Sequence, residues 1–182
     1  MLRKLGAHYP LQLEIIPAAL LAFIIFYALS NFSTLPDRIP THFSFDGEVD
    51  RWGGRVEILV YPAIAAAVYL LLSGINLAFA AAKDPKSMIN LPEKEKAALS
   101  LSSAERLREI MLRSLLALKT IVLGMVGYLL FSTVETALGK SNNLPGNWIF
   151  LFVAALLGVV FYMLIQVFGL IRSGRSGPSR PG

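Results

Sequence analysis

The chain has 182 residues, of which 55% are hydrophobic and 16% charged, and its net charge is +5. A soluble domain of this length could not hide so much apolar surface, and the apolar residues are gathered into long blocks instead of recurring at helical spacing, the pattern of a chain dissolved in a bilayer. The basic residues flank these blocks, so nucleic acid is not an expected partner; with no cysteine there is no disulfide framework, thiolate metal site or cysteine nucleophile.

The first apolar block covers about residues 11–32, follows Arg3 and Lys4, and is interrupted near its start by Glu14 and Pro17. It is long enough to span a membrane. The small residues Ala28 and Ser30 also permit a signal-peptide reading, but the block is long for one, and three later spans need an orienting first helix. A polar connection follows over residues 33–57, ending in the run LPDRIPTHFSFDGEVDRWGGRVE, too charged for hydrocarbon. The second block, 58–82, contains Pro62, Gly74 and Asn76, which a membrane helix tolerates when neighbours satisfy its freed polar groups.

From residue 83 to 113 the chain is charged and helix-compatible. Pro92 suits a first helical turn, and Ser102-Ser103-Ala104-Glu105 reads as a capping box opening a helix that continues into the third span, 114–137. Within that span Lys119 lies near one end, able to snorkel toward headgroups, and Glu135 near the other, while Gly124 and Gly127 allow close helix approach. The fourth block, 148–171, opens on Trp148 and carries Ala154 and Gly158 four residues apart, a small-residue spacing suited to helix packing or to an oligomer. Residues 1–172 therefore read as one membrane domain, and 173–182 as a low-complexity, disordered tail.

Lys and Arg counts set the expected orientation. Twelve lie at the N-terminus, in the middle connection and in the tail, against four (Arg38, Arg51, Arg55, Lys140) in the first loop and the last turn. The positive-inside rule then puts both termini in the cytoplasm and the first loop outside.

The outer loop holds the residues with most chemical potential. His42, Asp46, Glu48 and Asp50 fall within nine positions, but their spacing matches neither a zinc signature nor a calcium loop, and a turn at Asp46-Gly47 with solvated or Arg-paired acids is the simpler reading. Trp52 before Gly53-Gly54 suits an interfacial anchor, and with Phe43 and Phe45 it also suits a docking surface. Of the polar residues in the spans, Glu14, Lys119 and Glu135 sit near the ends within reach of water, leaving Asn76 and Gln166 as candidate interhelical hydrogen-bond partners. No nucleophile elbow or His-Glu-x-x-His pair occurs, and His8 and His42 fall on opposite sides, so no enzyme is expected.

Leu35-Pro36, Ile39-Pro40, His42-Phe43, Asp46-Gly47, Asp50 and Trp52-Gly53 together resemble the motif of a bacterial membrane domain of unknown function found at the start of SdpI-like immunity proteins. The resemblance covers the first span and first loop, and the downstream DPKSMINLPEK stretch is similar in style. It implies protection against a secreted antimicrobial protein and capture of a transcriptional repressor at the membrane.

The expectation is thus an all-α bundle of four transmembrane helices in the bacterial inner membrane, with an ordered extracytoplasmic loop and a basic cytoplasmic helical hairpin. It is read as a non-enzymatic binding module with no cofactor and no bound metal. Asp37, Arg38, His42, Asp46, Asp50 and Trp52 would meet an envelope-acting peptide or protein, and Lys94, Lys96, Arg106 and Arg108 a regulator. The alternative is a subunit of a membrane complex or a small transporter, packed through Gly124, Gly127, Ala154 and Gly158.

Overall fold

A computed structural model describes residues 11–87, 90, 92–141 and 147–175. Arg3, Lys4 and His8, and the tail beyond residue 175, lie outside the described residues. Four long helices dominate: α1 (Ile15–Asn31), α2 (Val60–Ala81), α4 (Leu101–Ala137) and α5 (Asn147–Arg175), with a short α3 (Glu93–Ala98) before α4. The four long helices, two of them with the 3₁₀ turn that leads in, are long and apolar enough to cross a membrane. By length and composition the chain is a multi-pass membrane protein.

Local chemistry sets the helix starts. Pro17 and Pro62 both fall in the first turn of their helices, where the missing N–H has no intrahelical partner to lose. The cap of α4 differs from the reading Ser102 to Glu105: Ser100 is the N-cap, its hydroxyl accepting from the Ser103 amide at 3.1 Å. Ser100 has the extended backbone an N-cap requires, and Glu105 is drawn away to Arg108 at 2.6 Å. At the other end of the chain α5 continues to Arg175, three residues into the segment read as tail. A serine and a glycine near a helix end cost too little to stop an established helix.

α4 is the hub. Its 37 residues, about 55 Å at 1.5 Å per residue, exceed the ~30 Å hydrocarbon thickness, so the helix is longer than one crossing needs. α4 packs on α1, α2 and α5, and α1 also packs on α2. In the most apolar window of α4, 39% of the residues are buried; in that of α5, none. α5 is thus the peripheral helix, held along one side only.

Lipid is as apolar as leucine, so helix association here rests on close packing and polar contacts. Gly127 lets Ile24 of α1 approach to 3.4 Å of where a Cβ would stand, and Gly124 does the same for Phe152 of α5 at 3.3 Å. Tyr61 of α2 and Thr133 of α4 share a hydrogen bond of 2.8 Å. Ala154 and Gly158, expected as packing residues, are exposed, and a Cβ on Gly158 would meet nothing within 4 Å. Gly158 instead borders an open groove beside α4, together with Ala155 and Tyr162.

One departure from an all-α fold is the connection between α1 and α2. It forms an antiparallel pair, β1 (Arg38–Phe43) and β2 (Val49–Gly54), followed by a 3₁₀ turn over Arg55–Leu59. The basic segment at the opposite end is likewise packed: Leu99, Ala104 and Leu107 form a small core with Val167 and Leu170 of α5.

The hairpin cap as candidate functional site

The motif residues divide into those that fasten the hairpin and those it displays. Leu35, Ile39 and Ile58 are buried in the same apolar cluster as Ile24 and Ala28 of α1 and Leu130 and Val134 of α4. β1 therefore lies on the end of the bundle as a cap, with Ile39 fully buried. Burying that side chain from water contributes about 2–3 kcal/mol.

The pairing runs Ile39 to Gly53 and Pro40 to Trp52, then slips so that His42 faces Arg51. The slip leaves Thr41 as an extra residue, its hydroxyl donating to the Arg51 carbonyl at 3.3 Å. Two glycines are required by geometry. Gly47 takes φ +88°, the left-handed turn conformation open to glycine, and a Cβ on Gly53 would lie 2.6 Å from Thr41 and closer still to Glu57. Glu57 is that close because its carboxylate accepts from the Gly54 amide at 2.9 Å, closing the 3₁₀ turn.

Arg55 joins the hairpin to α1. Its guanidinium stands 5.3 Å over the Phe32 ring, donates to the Leu35 carbonyl at 3.4 Å and lies 3.8 Å from the Asp37 carboxylate. Its place in the sequence suggests only a general partner for the loop acids. Its link to the end of the first helix was not visible from spacing.

The displayed face carries the candidates. Asp37, Arg38, His42, Asp46, Asp50 and Trp52 are all exposed. His42 Nδ1 and Asp50 share a 2.6 Å contact across the strands. Asp46 instead accepts from the Ser44 hydroxyl within the turn, which lowers its carboxyl pKa below the ordinary value, and the same hydroxyl lies 3.0 Å from the Glu48 carbonyl. Phe45 at the tip is largely exposed, yet its ring packs edge-on against Phe150 at the start of α5, centroids 5.2 Å apart. Among the described residues no three His, Asp or Glu side chains converge as metal ligands do. What the face offers is a mixed-charge surface with two exposed aromatic rings, suited to recognition by contact.

At the opposite end the residues expected to form a basic surface separate. Lys94 and Arg106 are exposed, and Lys96 is half-buried with Glu93 at 3.1 Å. Arg108 is not on that surface: it is 6% exposed, donating to the Ala82 carbonyl at 2.9 Å and to Glu105. The last carbonyls of α2 lack helical partners, and the guanidinium supplies one at the negative end of the helix dipole.

Lys119 also departs from the expectation of snorkelling. It is fully buried, its ammonium 2.6 and 2.8 Å from the two Glu14 oxygens, 2.9 Å from Ser73 Oγ and 5.0 Å from the Tyr69 ring centre. One cluster thus ties the approach to α1 to α2 and α4. The signal was present: two opposite charges at the same expected depth in different spans, each of which would be costly alone. Asn76 is buried as expected of a residue between helices, and Gln166 is half-buried.

Residues 19–66, which span most of α1, the hairpin and the start of α2, match a family described as a domain of unknown function, DUF1648. An uncharacterized protein of Archaeoglobus fulgidus is 41% identical over 85 residues, covering 45% of this chain and 44% of that protein. The chain thus spans less than half the length of this relative. No solved structure matches.

Proposed function

We propose that the protein is a non-enzymatic membrane binding module, of the kind that serves immunity or signalling, whose hairpin recognises an envelope-acting peptide or protein. The observation that carries this reading is the division of the hairpin: Leu35, Ile39 and Ile58 are buried in the bundle while Asp37, Arg38, His42, Phe45 and Trp52 stand exposed on a fixed support. A ligand meeting such a face loses little to ordering it. The likeness of the loop to SdpI-like immunity proteins supports the same reading.

In this proposal the chain lies in the inner membrane of a bacterium with both termini in the cytoplasm, as the distribution of Lys and Arg favours. The hairpin then faces outward, and Lys94, Lys96 and Arg106 face a cytoplasmic regulator. Arg108 has no part in that contact, because it is buried against α2.

The test is co-purification from native membranes after mild crosslinking, comparing the unaltered protein with an Asp37→Ala, Trp52→Ala variant. Both side chains are exposed, so the variant keeps its buried anchors. A partner captured by the unaltered protein and lost from the variant supports the reading. Identical capture by both refutes it.

A further inference from the structure

A groove of about 310 Å³ runs between α4 and α5, lined by Arg113, Ser114, Ala117, Ala155, Gly158 and Tyr162. At its head, toward α3, Arg113 and Tyr162 also line a polar hollow of about 190 Å³ with Arg106, Glu109 and Gln166. The two therefore adjoin at Arg113 and Tyr162, and they grade from charged to apolar along the helices. The order follows from spacing: Arg106, Arg113 and Ala117 share one side of α4, and Ala155, Gly158, Tyr162 and Gln166 one side of α5. Gly158 opens the apolar part, since a Cβ there would meet nothing within 4 Å.

Ser114 lies where the charged and apolar parts meet. It is 3% exposed, and among the described residues its hydroxyl has no hydrogen-bond partner. A buried hydroxyl without a partner is costly, and helix serines ordinarily bond to a carbonyl one turn back. A second apolar groove, about 390 Å³, borders the other side of α4, is lined by Leu13 and Ile16, and shares Arg113 and Ala117 with the first.

We propose that this groove binds an anionic phospholipid, with the phosphate between Arg106 and Arg113, an ester carbonyl accepting from Ser114 and an acyl chain lying over Gly158. Guanidinium groups match phosphate in charge and in fork geometry, and two such cations outweigh the single carboxylate of Glu109. The second groove, also headed by Arg113, suits the other acyl chain of a diacyl lipid. Basic pockets between membrane helices at headgroup depth recognise anionic lipids on these terms. A second copy of this chain fits less well: a two-fold axis along the membrane normal would bring equal heights together, and so Arg113 toward Arg113.

The test uses the full chain in nanodiscs of equal phosphatidylglycerol and phosphatidylcholine, with retained lipid read by native mass spectrometry after release. The unaltered protein should retain phosphatidylglycerol at least fivefold over phosphatidylcholine. Arg106→Ala and Arg113→Ala should each lower that preference about fivefold, and Gly158→Leu, which fills the groove without changing charge, should lower it at least twofold. Lys94→Ala with Lys96→Ala, which removes two charges elsewhere on this end, should leave it intact. These substitutions are outside the buried core, and an unchanged circular dichroism spectrum confirms folding. Equal retention of the two lipids by the unaltered protein would overturn the proposal, as would a fall in the Lys94→Ala, Lys96→Ala variant equal to that in the arginine variants. So would a Gly158→Leu variant that breaks an oligomer while leaving lipid retention unchanged.

Discussion

The two ends of the bundle treat polar residues in opposite ways. At the hairpin end an apolar edge, Leu35, Ile39 and Ile58, is turned inward and the charged residues are left in solvent. At the other end charge is drawn in: Lys119 is fully buried against Glu14 and Ser73, and Arg108 closes the end of α2. The first arrangement gives a surface whose polar groups can change with little effect on the fold. The second makes specific polar contacts the fasteners of a bundle that lipid does not press together.

The largest effect should therefore follow loss of one partner of the inner pair. Lys119→Met should destabilise the protein by roughly 3 kcal/mol, because Glu14, whose side chain is only 19% exposed, is left without a counter-charge, and adding Glu14→Gln should restore much of the loss. Unfolding in mixed micelles measures both; simple additivity of the two changes would show that the pair is not coupled. Ile39→Ala should cost about 2–5 kcal/mol by the same measurement and loosen the hairpin, read as faster amide exchange over β1 and β2. A smaller loss, about 1.5–3 kcal/mol, is expected from Arg108→Ala, with exchange rising at the last turn of α2.

The displayed face should be nearly silent in stability. Asp50→Asn should change it by about 0–1 kcal/mol, as exposed pairs do. Asp46 has a lowered pKa through its bond from Ser44, so its contribution is present above about pH 4 and fades as pH falls below that. Ser44→Ala should weaken this dependence in the exchange rates of the turn. A pH response unchanged by Ser44→Ala would assign it to another group.

The four long helices were legible because hydrocarbon demands long apolar blocks. The hairpin was less legible. Its motif residues stood out as a set, but Leu35 and Ile39 fill the end of the bundle while Asp37 and His42 stay outside, and this sorting depends on a strand pairing that slips at Thr41. Spacing alone does not reveal such a slip. Lys119 and Arg108 were misplaced for one shared reason: a long basic side chain near a span end reads as solvated until a partner from another helix is known. Glu14, in the first span, and the carbonyl of Ala82, at the end of the second, are partners distant in sequence. Ser100, not the Ser102 to Glu105 pattern, caps α4 because Glu105 pairs with Arg108.

The absence of cysteine makes the most direct measurement a clean one. The central claim is that the hairpin offers its polar face to the medium outside the cell. Single substitutions Asp37→Cys and Lys94→Cys would be treated in intact cells with a membrane-impermeant maleimide, then again after permeabilisation. The account predicts labelling at position 37 in intact cells and at position 94 only after permeabilisation. Labelling at 94 alone in intact cells would invert the protein and remove the hairpin from any ligand arriving from outside.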